Sequence, residues 1–545
     1  MSFIPAVISL IKLIKGPVIS LILLRIQHIE LFVLMFSILI LLSLNLKTIK
    51  KHLMNIKKKT WILLIIVFML ALFFRLSGDH NHMIFYDEHY LNTIGRNILL
   101  HNIAGQCSYI SFTSDKLHCN IIQPFTGWSI IISTAYFLFG VGEHVTLYLT
   151  SLIGSLTVFL IFTLSYLLFR KESYSLMAAF LFAISMTPTI WSRSSISNIV
   201  GLFLILSIFI VQLIYCIDRR SGLNLITVLL FAFSIQTRIE YMMYLPVMII
   251  IYFLFIRCFR KNIFRPDFFK PWLLFFALMV FYVPQVIMIL FNYRNIYPAK
   301  FSEIFGANLN FFLRQVYYPN FLQIFLMVGL VYSFIRWKKQ LLIMFLLYMI
   351  TLLVYSSTYQ MFSRYYLLNL ICIMLMQSIG VCVILDFIIS HVEKQKGLIN
   401  ALLVAFTIIL IFIPSYGMIK RGNIIFDYQV LTLNIPRSAE SRLDNGCFII
   451  TNSLDEVTFS SGTVLRTMLI TSFIPYARYN VWIFDKKYNV CFLYYEGMGC
   501  KGPLDSDMTR KDCNTMRDAF DLKPVHSYKR GLLNYGFYKI SNKEV

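Results

Sequence analysis

The sequence predicts an α-helical protein that crosses a membrane about 11–13 times and ends in a small α/β or β-rich domain outside the cytoplasm. Three observations support this. Of 545 residues, 58% are hydrophobic and only 14% are charged, with 50 Phe and 32 Tyr, whereas soluble domains carry about a quarter charged residues. Apolar runs of about 20 residues recur, the length that crosses a bilayer. Short basic clusters break those runs, and after about residue 420 the pattern gives way to short β-rich runs between turn residues.

The net charge of +23 does not point to nucleic acid. Lys and Arg gather in the short loops between apolar runs, which is the bias that orients a membrane protein. No cleavable leader is evident, so the apolar N-terminal stretches read as retained anchors. The stretch 2–24 is interrupted by Lys12, Lys15, Gly16 and Pro17, while 29–46 is a clearer span. Lys47, Lys50, Lys51, Lys57, Lys58 and Lys59 follow it and mark the cytoplasmic side. The run 61–76 then crosses outward, which places Tyr86-Asp87-Glu88-His89 outside.

Later clusters should be cytoplasmic in turn: Arg170-Lys171, Arg219-Arg220, Arg257 to Lys270, Arg336 to Lys339, and Lys394-Lys396. The spans between them are expected at 146–168, 175–191, 198–216, 224–237, 241–256, 272–290, 320–336, 341–357, 365–388 and 399–417. This parity holds only if the apolar stretch 124–139 does not cross, so it is expected to be an interfacial or re-entrant helix. The division is then 1–59, N-terminal anchors and a basic loop; 60–419, a transmembrane unit with a long first outer loop at 78–145; and 420–545, an extracytoplasmic domain. Lys420 and Arg421 count against that last placement. Cysteines fit the same division. Cys107 and Cys119 in the first outer loop, and Cys447, Cys491, Cys500 and Cys513 in the C-terminal domain, are even-numbered sets suited to an oxidising compartment. Cys216, Cys258, Cys372 and Cys382 should be free thiols.

The carboxylates Asp87 and Glu88 are the main catalytic candidates. On a helix, neighbours point about 100° apart, so one suits a general base while the other orients a partner or a metal. The bland alternative is an acid pair in a first helical turn, complementing the helix dipole. At the outer ends of later spans lie Arg193 with Ser194, Ser195 and Asn198; Arg238 with Glu240; Arg294, Lys300 and Arg314; and Arg364 with Tyr359 and Tyr365. Any one of these cations is explained by snorkelling. Together, on the side of the carboxylates, they form a candidate anion site, and arginine binds phosphate in a bidentate manner.

The order of elements resembles a known group. An outward span is followed by Tyr86-Asp87-Glu88, then Gln123-Pro124-Phe125-Thr126-Gly127-Trp128 with its apolar run and a Phe139-Gly140 stop. Next come Glu143 to Leu168-Phe169-Arg170, the turn Trp191-Ser192-Arg193-Ser194, and late in the chain Ser363-Arg364-Tyr365-Tyr366. Over 60–420 the chain resembles the GT-C membrane glycosyltransferases, in particular the protein O-mannosyltransferase and lipid A aminoarabinose transferase group (glycosyltransferase family 39-like). The resemblance implies a polyprenyl- or dolichyl-phosphate sugar donor, chemistry on the outer face, membrane-surface helices in the first outer loop, Asp87 as base or acceptor-positioning group, and Arg364 on the donor phosphate. Ser197-Asn198 stands where many relatives carry an acid, and Phe125-Thr126 where proline and leucine are common, so substrate and metal involvement stay open.

The expected activity is therefore an inverting glycosyl transfer, of a hexosyl or pentosyl group, to a protein, lipid or glycan acceptor. Asp87 and Glu88 supply the base, and Arg364, Tyr365, Arg238, Glu240, Arg193 and Lys300 supply the donor site. No cofactor is assigned and metal dependence stays open, a divalent metal being one option; two carboxylates alone are too few ligands for a tight site. The expected partners are the lipid-linked donor, the acceptor and membrane lipids, without nucleic acid, and the expected location is the plasma membrane with an extracytoplasmic site. The competing class is a transporter or flippase of a lipid-linked or anionic substrate. It would place charges nearer the bilayer midplane and show internal repeats.

Overall fold

The computed structural model describes residues 17–77, 86–109, 117–120, 126–255, 266–280, 305–306, 322–357, 363–391, 402–420, 448–451, 466–469, 490–496, 520–530 and 533–542. It opens with α1 (Pro17–Lys51) and α2 (Lys58–Leu76). Pro17, with its fixed φ and missing N–H, suits a helix start. The helix continues unbroken from there through the expected 29–46 span, 35 residues in all, and 2–16 of the expected first stretch lie outside the described residues.

The connection after α2 holds α3 (Tyr86–His101), the hairpin β1 (Gln106–Tyr109) and β2 (Leu117–Asn120), and α4 (Thr126–Phe139). The bundle continues with α5 (Glu143–Phe169), α6 (Glu172–Ala183), α7 (Met186–Ser192), α8 (Ser197–Asp218) and α9 (Ser221–Thr237). A 3-10 turn (Ile239–Tyr244), α10 (Leu245–Phe255), α11 (Pro266–Val280), α12 (Leu322–Arg336) and α13 (Lys338–Ser357) follow. A second 3-10 turn (Ser363–Tyr366) leads into α14 (Leu367–His391), and α15 (Leu402–Lys420) ends the bundle.

Among the described residues seven helices are long and apolar enough to cross a membrane, or eight if the bent pair α6 and α7 counts as one span, and shorter apolar helices lie between them. The protein is an integral, multi-pass membrane protein. The expected span 175–191 is not one rod: α6 and α7 meet at an angle of 59°.

The basic clusters around 47–59, 170–171, 219–220 and 336–339 share one end of the bundle; 256–265 and Lys394-Lys396 lie outside the described residues. Arg220 Nη1 donates to Thr48 Oγ1 at 2.6 Å, and His52 Nε2 lies 3.1 Å from Asp218 Oδ2. The Lys57 N–H donates to Glu172 Oε1 at 3.3 Å, and Gln340 Nε2 donates to the Leu168 carbonyl at 3.2 Å. Thus the loops around 47–59, 170–172, 218–220 and 337–340 converge. Helices α5 and α8 both stop there on an arginine in the left-handed conformation, Arg170 and Arg219, each at φ 55°. Cations suit the negative ends of helix dipoles.

Helix α4 does not leave the other end. Trp128 near its start bonds the turn at Ser195, Ser129 Oγ donates to the Leu91 carbonyl at 2.9 Å, and Tyr136 Oη donates to Asn92 Oδ1 at 2.7 Å. Its 14 residues reach about 21 Å, short of a bilayer core. This helix therefore lies along α3, an arrangement in keeping with an interfacial or re-entrant reading of 124–139.

Helices α12 and α14 cross at backbone contact. A methyl on Gly329 would strike the Met376 carbonyl, and one on Gly380 would strike the Phe325 carbonyl. Small residues permit such close crossings in membranes, and this one fixes the helix that carries Arg364 at its start. Gly380→Ala is expected to destabilise the protein by about 1–3 kcal/mol, the usual cost of overpacking, measured as thermal unfolding in detergent.

The described part of 420–545 is a five-stranded mixed sheet in the order β4-β3-β5-β7-β6, made of β3 (Phe448–Thr451), β4 (Arg466–Leu469), β5 (Val490–Glu496), β6 (Phe520–Arg530) and β7 (Leu533–Asn542). Strand β3 runs parallel to β4 and β5, while β7 is antiparallel to β5 and β6.

Candidate functional site

Opposite the basic end, one turn ties the site together. It spans residues 193–198 between α7 and α8, and its position depends on the bend before it. Arg75, in the last turn of α2 and 0% exposed, holds that bend. Its Nε donates to Ser192 Oγ at 3.1 Å, and its Nη1 donates to the carbonyls of Ala71 at 3.1 Å and Ala183 at 3.3 Å. Its guanidinium lies 5.2 Å from the Phe182 ring centroid. Ala183 ends α6 and Ser192 ends α7, so a single side chain spans the kink. Its charge faces the carbonyl ends of helices, where cations are favoured. A methyl on Gly154 would collide with Ser192 Oγ, so only glycine leaves room for this packing.

Arg193 turns the other way. Its Nε donates to the Arg75 carbonyl at 3.2 Å, and its Nη2 donates to the Phe74 carbonyl and, at 2.9 Å, to Ser77 Oγ. Arg193 thus caps the C-terminal end of α2, satisfying carbonyls that a helix end leaves open. The Nε and Nη2 of Arg193, a residue expected in the anion site, are thus bonded to the end of α2. Arg75→Leu is expected to cost about 1–3 kcal/mol, the order expected when buried acceptors lose their donor. The check is unfolding of the variant against wild type in the same detergent.

Three side chains, two from α3 and one from α4, then grip Ser195. Its N–H donates to Glu88 Oε1 at 2.6 Å, its Oγ accepts Asn92 Nδ2 at 2.7 Å, and its carbonyl accepts Trp128 Nε1 at 2.6 Å. Asn92 Nδ2 also reaches the Glu88 carbonyl at 2.7 Å. Glu88 is only 1% exposed. A carboxylate accepting a backbone N–H makes a charge-assisted bond, among the stronger kinds. Glu88 therefore orients the turn. Asp87 precedes it in the first turn of α3, where its backbone is described and its side chain is not.

Asn198 carries the network onward, because its Nδ2 donates to the Arg364 carbonyl at 3.1 Å. A carbonyl only accepts, which fixes the amide's orientation and leaves Oδ1 as the other atom. Ser195 and Asn198 are three residues apart, at most about 10 Å along the chain. Carboxylate and arginine thus flank one short turn. The guanidinium of Arg364 lies 5.7 Å from the Trp191 ring centroid and 5.1 Å from that of Tyr365, and its Nη2 donates to Tyr365 Oη at 3.1 Å. Arg238 lies over the same Tyr365 ring at 4.9 Å and pairs with Glu240 Oε1 at 2.9 Å. Two guanidinium groups therefore share one tyrosine. Asn198 Oδ1, Arg238 Nε and Glu240 Oε2, buried here, make no hydrogen bond among the described residues, as is true of other side-chain atoms elsewhere in the bundle. Native proteins keep few such atoms, and each needs a reason.

Glu88, Arg238, Glu240, Arg364 and Tyr365 are thus brought to one end of the bundle, with Arg193 behind them. Lys300, Arg294, Arg314 and Tyr359 lie outside the described residues. Arg75, Asn92, Trp128 and Tyr136 are the residues that sequence reasoning missed. Arg75 carried a usable signal, being a charge at the end of an apolar run. Among the described residues no three His, Cys, Asp or Glu side chains cluster as metal ligands.

No family model matches the chain, and no curated protein does. Solved structures do. The oligosaccharyltransferase of Archaeoglobus fulgidus, tethered to an acceptor peptide containing the NVT sequon, aligns over 90% of this chain and 74% of its own, with a TM-score of 0.51 at 12% identity. ArnT from Cupriavidus metallidurans in the apo state aligns over 88% of this chain and 97% of its own, also with a TM-score of 0.51 at 12% identity. At such identity the likeness is one of architecture, and the architecture is the GT-C membrane fold.

Proposed function

We propose that this protein is a glycosyltransferase that moves a sugar from a polyprenyl-phosphate carrier to an acceptor at the end of the bundle opposite the basic clusters. One observation carries the proposal: Arg238 and Arg364 meet on Tyr365, and the turn beneath Arg364 is anchored to Glu88. Facing guanidinium groups at a membrane border suit a lipid-linked phosphate.

The bonds change in one displacement. Asp87 takes the proton from an acceptor hydroxyl or amine. The acceptor atom forms a bond to the anomeric carbon from the face opposite the phosphate, the carbon–oxygen bond to the phosphate breaks, and the configuration inverts. Arg364 and Arg238 offset the charge that grows on the departing lipid phosphate, and such preorganised electrostatics often make up a large share of the rate. Glu88 holds the turn and, through it, the spacing between base and leaving group. With Lys47–Lys59 and the other basic loops on the cytoplasmic side, this chemistry is extracytoplasmic. The solved oligosaccharyltransferase carries a peptide acceptor, which makes a peptide the first acceptor to try here, ahead of lipid and glycan.

The test is transfer by purified protein in proteoliposomes from a radiolabelled polyprenyl-phosphate sugar. Label is expected to appear on acceptor with release of polyprenyl phosphate. Movement of the intact donor across the bilayer without transfer would instead establish a flippase.

A further inference from the structure

The hairpin that follows the acidic helix places two cysteines face to face. In the register of β1 and β2, Cys107 is the direct partner of Cys119, between the pairs Gln106 with Asn120 and Ser108 with His118. Directly opposed residues of an antiparallel pair have Cα atoms about 4.5–5.5 Å apart, within the 4.4–6.8 Å that a disulfide spans. Strands of four residues each form a ribbon that is marginal by itself in water, so a covalent tie has a structural task here. The described cysteines inside the helical bundle behave differently: Cys216, Cys372 and Cys382 are buried, free thiols.

We propose that Cys107 and Cys119 form a disulfide that locks this hairpin. The two thiols lose two protons and two electrons as the S–S bond forms. The electrons pass, by thiol–disulfide exchange, to the oxidised dithiol of an extracytoplasmic thiol oxidase, a class of partner expected where disulfides persist. The locked hairpin bears on the site through α3, because Asn97 Nδ2 donates to the Gly105 carbonyl at 2.8 Å, immediately before β1. On its other side β1 adjoins β4 of the C-terminal sheet. The hairpin is therefore a brace between the acidic helix and that sheet. The proposal rests on the extracytoplasmic placement argued above.

Lys116 lies between the two cysteines, so trypsin separates them unless they are bridged. Full-length protein from membranes, alkylated without reduction and digested, should yield the two peptides joined through Cys107 and Cys119, and reduction should release them. In Cys107→Ser, the Cys119 thiol should become fully alkylatable. Bridges from either cysteine to Cys447, Cys491, Cys500 or Cys513 would overturn the pairing. Unreduced wild-type thiols labelled by an impermeant maleimide on sealed cells would overturn it while leaving the placement of the site intact. Labelling of Cys107 and Cys119 only after permeabilisation would overturn both.

Discussion

Asp87→Asn should abolish sugar transfer while the protein still inserts, folds and binds donor. The amide keeps the size of the side chain and removes the base, and general-base catalysis contributes about 10²–10⁴-fold. A loss in kcat of that order is expected, with little change in KM for the donor. Glu88→Gln separates the two acids. Its carboxylate is buried against the Ser195 N–H at 2.6 Å, so the amide weakens a charge-assisted bond and lowers stability by about 1–2 kcal/mol. Thermal unfolding should therefore move in Glu88→Gln and stay in place in Asp87→Asn. Wild-type turnover in Asp87→Asn would remove that residue from the mechanism.

Arg364→Met should be nearly as damaging, by a different route. Loss of one preorganised group that stabilises developing charge costs about 10²–10³ in rate. Methionine keeps the apolar stem above Trp191 and discards the charge, so the fold should survive. Lysine should rescue only in part, because it lacks the planar fork that grips phosphate and stacks on Tyr365. Arg238→Met should lower kcat/KM as well and, in addition, strand Glu240, whose Oε1 it pairs with at 2.9 Å. The double change Arg238→Met with Glu240→Gln should then be more stable than Arg238→Met alone, while no more active. Steady-state transfer rates and unfolding curves on the four variants check both halves.

Much of this was legible in the sequence for simple reasons. Apolar runs, basic loops and turn residues act locally, so the multi-pass bundle and its two ends followed from apolar length and charge. What was not legible depends on pairs far apart in the chain. Nothing near Arg193 announces that it caps α2, since the carbonyls it satisfies belong to residues 74 and 75. Arg75 sits at the end of an apolar run, and only the bend between α6 and α7 shows what it holds. The serines at 192 and 195 are the points at which α2, α3 and α4 fasten the turn. Asn198, read as the loss of an acid, turns out to bond the Arg364 backbone. Glu88 shows both sides: the acid pair does open a helix, as the bland alternative held, yet its side chain is spent on a distant backbone N–H.

The central claim is that a lipid phosphate sits between Arg238 and Arg364, on the turn anchored by Glu88. The direct measurement is an experimental structure of the full-length protein with a polyprenyl monophosphate. Phosphate density within hydrogen-bond reach of both guanidinium groups, beside Tyr365 and facing Asp87, is the predicted result. Phosphate held instead at the basic end, near Arg219 and Arg220, would contradict it.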